Sequence, residues 1–171
     1  SRMRDQGHDV FRAGEHNGEI TSRAEELIKI LDPIDSGLVT NNLWGERWAK
    51  LGQNCMGNPV VAMSNMGTAE LASDPICRCL QINLAKEASI TGIKLGYNID
   101  NFGGADARKW SNAKDKYVYF ELDEMIARRS QGPNRRPSMA QDVIKGRATE
   151  IRFMNGHVLQ KAKEVGLDVP A

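Results

Sequence analysis

The sequence predicts an all-α domain preceded by one short strand. Two observations carry this. Apolar residues recur at three- and four-residue intervals in several separate segments, and cap or breaker residues stand at the ends of those segments. The alternating stretch that reads as a strand lies around Val10–Ala13 and runs on to Asn17-Gly18, a turn pair.

The helices follow in order. In SRAEELIKIL, Ser22 and Glu25 have the spacing of a capping box, Leu27, Ile30 and Leu31 share a face, and Asp32-Pro33 ends the run. A short connector leads to Asn42, which caps a second helix through Trp44 and Lys50 to about Asn58. Pro59 is expected to break or kink it, with VVAMSNMG continuing beyond. Asp74-Pro75 pairs an N-cap with a first-turn proline, and that helix runs through Ile82, Ala85, Ser89 and Ile93 to Gly96. NIDNFGGADARKW reads as a loop. Ala113–Arg129 reads as a helix with Val118, Leu122 and Met125 inward, and RRSQGPNRR as another loop. Pro137 then opens a single long helix, with Ile144, Ile151 and Val158 seven residues apart and Gly166 at its end.

At 171 residues, with 40% hydrophobic and 26% charged content, the chain has enough apolar mass for a real core. A net charge of +1 argues against a general polyanion binder, and no aromatic platform interleaves Arg128, Arg129, Arg135 and Arg136, so nucleic acid is not an expected partner. No apolar run approaches the roughly 18 residues of a membrane span, and no signal-peptide pattern opens the chain. Cys55, Cys77 and Cys79 read as reduced packing residues, with no metal expected, in a cytoplasmic protein.

One stretch asks for more than packing. In KLGQNCMGNP, Lys50, Asn54 and Asn58 are spaced i, i+4, i+8 and form one polar stripe, since four helical residues turn only about 40° past a full circle. Asparagine is a poor helix former, so two in mid-helix suggest a polar task; capping of neighbouring loops is the other reading.

The stretches LWGERWAKLGQNCMGNP and PSMAQDVIKGRATEIRFMNGHVLQKAKEVGLDVP together resemble the two signature segments of the C-terminal helical domain of ketopantoate reductases (2-dehydropantoate 2-reductases). FRAGEHNGEITSRAEELIKIL resembles the family's junction between its nucleotide-binding sheet and its helices. The resemblance implies a helical domain of the 6-phosphogluconate-dehydrogenase C-terminal-like type over residues 21–171. It makes residues 1–20 a strand and linker remnant of a Rossmann domain that this chain lacks, because no GxGxxG loop is present. The reaction it implies is hydride transfer from NADPH to the keto carbon of ketopantoate, giving pantoate on the route to coenzyme A, with NADP(H) bound mainly by the absent domain.

Residue by residue, Lys50 matches the family's catalytic lysine, a general acid and carbonyl polariser, and Glu150 a glutamate near substrate and nicotinamide ribose. Asn54 and Asn58 match asparagines that bind substrate, and Ser138 a serine that meets its carboxylate. On composition alone, Glu150 would instead pair with Arg147 or Arg152. Two positions depart from the family pattern: Thr68 and Arg135 each stand where an asparagine or another polar contact residue is usual, which leaves the identity of the 2-keto acid open. His8, His16 and His157 match no catalytic position. The competing reading is a non-catalytic helical dimerisation module. On either reading a homodimer is expected, because the N-terminal strand and the helices' apolar faces call for partners.

Overall fold

In the computed structural model, which describes residues 11–171, the chain divides into two compact units, one up to Arg47 and one from Trp48 to Ala171. The first unit is a small parallel βαβ arrangement. Strand β1 (Phe11–Ala13) pairs with β2 (Gly37–Val39) in the register Phe11 to Gly37 and Ala13 to Val39, and helix α1 (Ser22–Leu31) crosses between them. The sequence places a strand near β1 but reads β2 as a connector. Three residues, one of them glycine, are too short to show alternation. The expectation that the first strand lacks an in-chain partner is therefore corrected, and Val10 lies outside the described residues.

The turn at Asn17-Gly18 is present, with Gly18 at a φ of 80°. The cap of α1 is Thr21 rather than Ser22: the Thr21 hydroxyl accepts from the Ala24 N–H at 3.3 Å and donates to the Glu15 carboxylate at 2.6 Å. Ala24 and Ile28 turn towards the strands, whereas Leu27 and Ile30 are exposed.

Helix α2 (Leu43–Ser64) does not break at Pro59, and the stretch beyond the proline continues it as expected. Proline has no N–H to give to the carbonyl four residues back, which here is Cys55. The Asn155 side-chain amide donates to that Cys55 carbonyl at 3.3 Å, from a point 100 residues further along the chain. The helix closes at Asn65, held at a φ of 57°.

Helix α3 (Thr68–Ser73) is a short connector into α4 (Pro75–Lys94), the centre of the second unit. Asp74 caps α4 by accepting from the Cys77 N–H at 2.8 Å, and Gly96, with a φ of 87°, follows its end. Ile82, Ala85, Ala88, Ser89 and Thr91 are all buried, so α4 is covered on several faces at once. Ile93, near its end, is exposed. At Gly92 an added Cβ would lie 2.2 Å from the Trp48 indole nitrogen, and that indole donates to the Ala88 carbonyl at 2.8 Å. Glycine is what lets α2 and α4 approach so closely there.

The stretch read as a loop holds more order than its glycines suggest. Phe102 and Ala105 form a β-bridge, and Asp106 caps a one-turn helix α5 (Ala107–Ser111) whose Trp110 is fully buried. Helix α6 (Lys116–Ala127) packs Leu122 and Ile126 inward, with Val118 and Met125 at the margin of the same core, and ends in a 3-10 turn over Arg128–Gln131.

The long last helix is also corrected. Helix α7 (Ser138–Ile144) stops after seven residues, Gly146 adopts a φ of 65°, a 3-10 turn follows over Ile151–Phe153, and α8 (Asn155–Glu164) closes the unit. The seven-residue repeat is fortuitous: Val158 is buried, while Ile144 and Ile151 are exposed. Gly146 can enter the left-handed region that ends a helix, and this outweighs the apolar spacing.

Asn155→Ala is expected to lower stability by about 1–3 kcal/mol, the cost of orphaning a buried carbonyl. The loss should shrink in a Pro59→Ala background, where the substituted residue supplies the missing backbone N–H. Urea denaturation of the four members of that cycle measures the coupling; additive losses would show that Asn155 does not serve this carbonyl.

Candidate active site on helix α2

Helix α2 carries three functional faces. Trp48 and Cys55 point into a buried cluster with Ala88 of α4, Met139 of α7, and Met154 and Val158 around the start of α8. Ala49, Met56 and Val60 enter the larger core with α4, α5 and α6. Lys50, Asn54 and Asn58 fall on the third face, as the four-residue spacing requires. Lys50 is exposed and the two asparagines are half-buried.

The elements bearing the other sequence-predicted residues pack against α2. Ser138 is exposed at the first position of α7, immediately before buried Met139. Glu150 is not on a helix, as the single-helix reading implied. It sits just before the Ile151–Phe153 turn, four residues ahead of buried Met154, with its side chain exposed. Among the described residues, the side chains of Lys50, Asn54, Asn58, Ser138 and Glu150 find no hydrogen-bond or ion-pair partner. Glu150 pairs with neither Arg147 nor Arg152. The loop-capping alternative for Asn54 and Asn58 likewise finds no contact to support it.

Beside the stripe, a partly enclosed cavity of about 440 Å3 opens against α2 at Gln53 and Gly57. Thr68 and Arg135, the two departures from the family pattern, both line it. They are bonded to each other. The Thr68 N–H donates to the Arg135 carbonyl at 2.9 Å, the Arg135 N–H donates to the Thr68 hydroxyl at 2.9 Å, and that hydroxyl donates to the Pro133 carbonyl at 3.1 Å. Asn134 reinforces the seam by accepting from the Ala69 N–H at 3.1 Å. The first turn of α3 is thereby fastened to residues 133–135, which form one wall.

Three further lining residues carry no mark in the sequence. Gln53 accepts from the Gly103 N–H at 2.6 Å, Arg129 donates to the Gly103 carbonyl, and Gln81 of α4 is buried. Arg129 and Arg135 are two of four arginines in a polar stretch, and only the folded chain shows which of the four line the cavity. Arg136, by contrast, ties down a helix end, donating to the Asn65 carbonyl at 3.0 Å.

Cys55 lies behind the stripe, 2% exposed, and burial pushes its thiol up to about 12. Among the described residues, no cluster of His, Cys, Asp and Glu has the arrangement of a metal site. No described helix is long and apolar enough to cross a membrane.

Residues 42–171 match the family model described as ketopantoate reductase PanE/ApbA C terminal. The chain belongs to the ketopantoate reductase family. It is 27% identical to the 2-dehydropantoate 2-reductase of Archaeoglobus fulgidus over 98% of this chain and 53% of that protein. It is 30% identical to the enzyme of the same name from Salmonella typhi, over 92% of this chain and 45% of that protein. It thus spans about half the length of the curated relatives it matches. The dimeric ketopantoate reductase from Staphylococcus aureus superposes with a TM-score of 0.67 at 17% identity, covering 89% of this chain and 48% of that one, which supports the helical fold.

Because only the thiolate attacks alkylating agents, and an ordinary cysteine ionises near about 8.5, Cys55 should resist iodoacetamide in the native protein and react on denaturation. Peptide mass spectrometry reads this directly. Native labelling of Cys55 would mean that the packing behind the stripe opens.

Proposed function

We propose that this chain is the substrate-binding and catalytic half of an NADP-dependent reductase acting on ketopantoate or a close 2-keto acid. In this reading, residues 21–171 form the helical domain and residues 1–20 the end of a nucleotide-binding domain. The observation that carries it is the stripe itself: a lysine and two asparagines, aligned on one continuous helix, with no intramolecular partner among the described residues. Leaving polar groups unpaired on a packed helix gains nothing for folding, and it keeps their donors and acceptors available to a ligand.

NADPH, when bound, supplies a hydride to the keto carbon. As the carbon accepts it, negative charge grows on the carbonyl oxygen, and a cation placed there stabilises the transition state more than the ground state. The Lys50 ammonium does this and then gives its proton to the oxygen. Asn54 and Asn58 orient the substrate through its hydroxyl and keto groups, and the Ser138 hydroxyl donates to its carboxylate. Glu150 offers this chain's own fit to the cofactor: an exposed, unpaired carboxylate able to accept from a ribose hydroxyl. We also propose a cytoplasmic homodimer, in line with the dimeric reductase from Staphylococcus aureus. A purely structural dimerisation module gives no reason for the unpaired stripe.

In a protein that joins this chain to a nucleotide-binding domain, Lys50→Ala should lower kcat for NADPH oxidation with ketopantoate or a close 2-keto acid by roughly 10²–10⁴-fold, the usual cost of losing a positioned proton donor. Near-normal kcat would remove Lys50 from the mechanism, and absence of turnover in the parent would remove the activity.

A further inference from the structure

The cavity against α2 has a lining that its neighbours do not neutralise. Arg129 and Arg135 both line it, and no carboxylate among the described residues does. Among the described residues, neither arginine forms an ion pair with an acidic side chain, and the Arg129 side chain bonds to the neutral carbonyl of Gly103. A half-buried guanidinium without an anion is costly, and an anionic ligand would relieve that cost. Burial accordingly pulls the Arg129 guanidinium below its ordinary value, with no anionic neighbour to hold it up.

Much of the remaining lining is apolar, with Met56, Val61, Leu71 and Ile126. This combination suits a short hydrocarbon ending in an anion better than a bare, hydrated inorganic ion. At Gly57 an added Cβ would meet nothing within 4 Å, so the helix surface is bare where the cavity touches it. Gly57 immediately precedes Asn58, and Gln53, also lining the cavity, immediately precedes Asn54.

We propose that this cavity is an anion-accepting subsite, and that among the 2-keto acids the stripe can take this chain prefers a dicarboxylic one, its second carboxylate held by Arg129 and Arg135. The proposal rests on the reading of the stripe as the keto-acid site and deepens it. Asn54 and Asn58 hold the reacting end, and the chain of the substrate runs along the bare surface at Gly57 to the arginines. Thr68 contributes indirectly, because its bonds to residues 133 and 135 fix the wall that carries Arg135.

Isothermal titration calorimetry of this chain with 2-oxoglutarate, 2-oxovalerate and inorganic phosphate tests it. 2-Oxoglutarate should bind roughly tenfold or more tighter than 2-oxovalerate, as expected for added charge-assisted hydrogen bonds. Arg129→Gln should abolish that preference. Arg135→Gln, at an exposed position, should reduce it without risk to the core. Equal affinity for the two keto acids, phosphate binding as tight as 2-oxoglutarate, or no dicarboxylate binding would each overturn the subsite. Those outcomes read only the second carboxylate, whereas the effect of Lys50→Ala on turnover reads the reductase chemistry, so the two readings fail separately.

Discussion

The second unit depends on one hydrogen bond that compensates for a proline. Pro59 removes the N–H that would have served the Cys55 carbonyl, and Asn155 supplies a replacement from α8. Without that replacement, a buried carbonyl in the middle of a continuous helix would be unsatisfied, and the helix would have reason to bend or open to water. The same bond fixes where α8 begins relative to α2. Met154 and Val158, flanking Asn155, complete the buried cluster with Trp48 and Cys55. One residue thus keeps α2 unbroken, which aligns the stripe, and anchors the segment that presents Glu150.

The stripe and the cavity divide the polar work of α2 between adjacent faces. Residues of the stripe are unpaired among the described residues and reachable by solvent, as suits groups that meet a ligand. The cavity residues are instead interlocked through main-chain bonds: Gln53 and Arg129 both close on Gly103, and Thr68 binds residues 133 and 135. A wall held by backbone hydrogen bonds is rigid, and rigidity is what makes a pocket selective rather than adaptable. The support between the two family departures runs one way: the Thr68 hydroxyl holds the main chain at 133 and 135, whereas a change of side chain at 135 leaves those bonds in place.

Much of this is legible in the residues. Asp74-Pro75 marks the start of α4, Asn17-Gly18 the first turn, and the spacing of Lys50, Asn54 and Asn58 places them on one face. Other elements fold differently from their local pattern, for identifiable reasons. Ser22 reads as a cap because Glu25 completes a box, but Thr21, one residue earlier, holds both the Ala24 N–H and the Glu15 carboxylate. Ile144, Ile151 and Val158 suggest one long helix, yet a positive φ at Gly146 ends it. The strand β2 has too few residues to carry a period, and only its pairing with β1 identifies it.

By itself the sequence determined the helical class, the family and the residues proposed to meet a ligand. Those follow from local spacing, caps and two ordered motifs, all of which act over a few residues. Only the tertiary structure decided that α2 survives its proline, that Arg129 leaves the arginine-rich surface to line a cavity, and that Glu150 lies before a turn rather than on a helix. Each of those depends on a partner far away in the chain or on a backbone angle. Asn155 reaches Cys55 across 100 residues, and Arg129 meets Gly103 across 26. Residue periodicity carries no information about contacts at that separation, because they are set by how the helices pack.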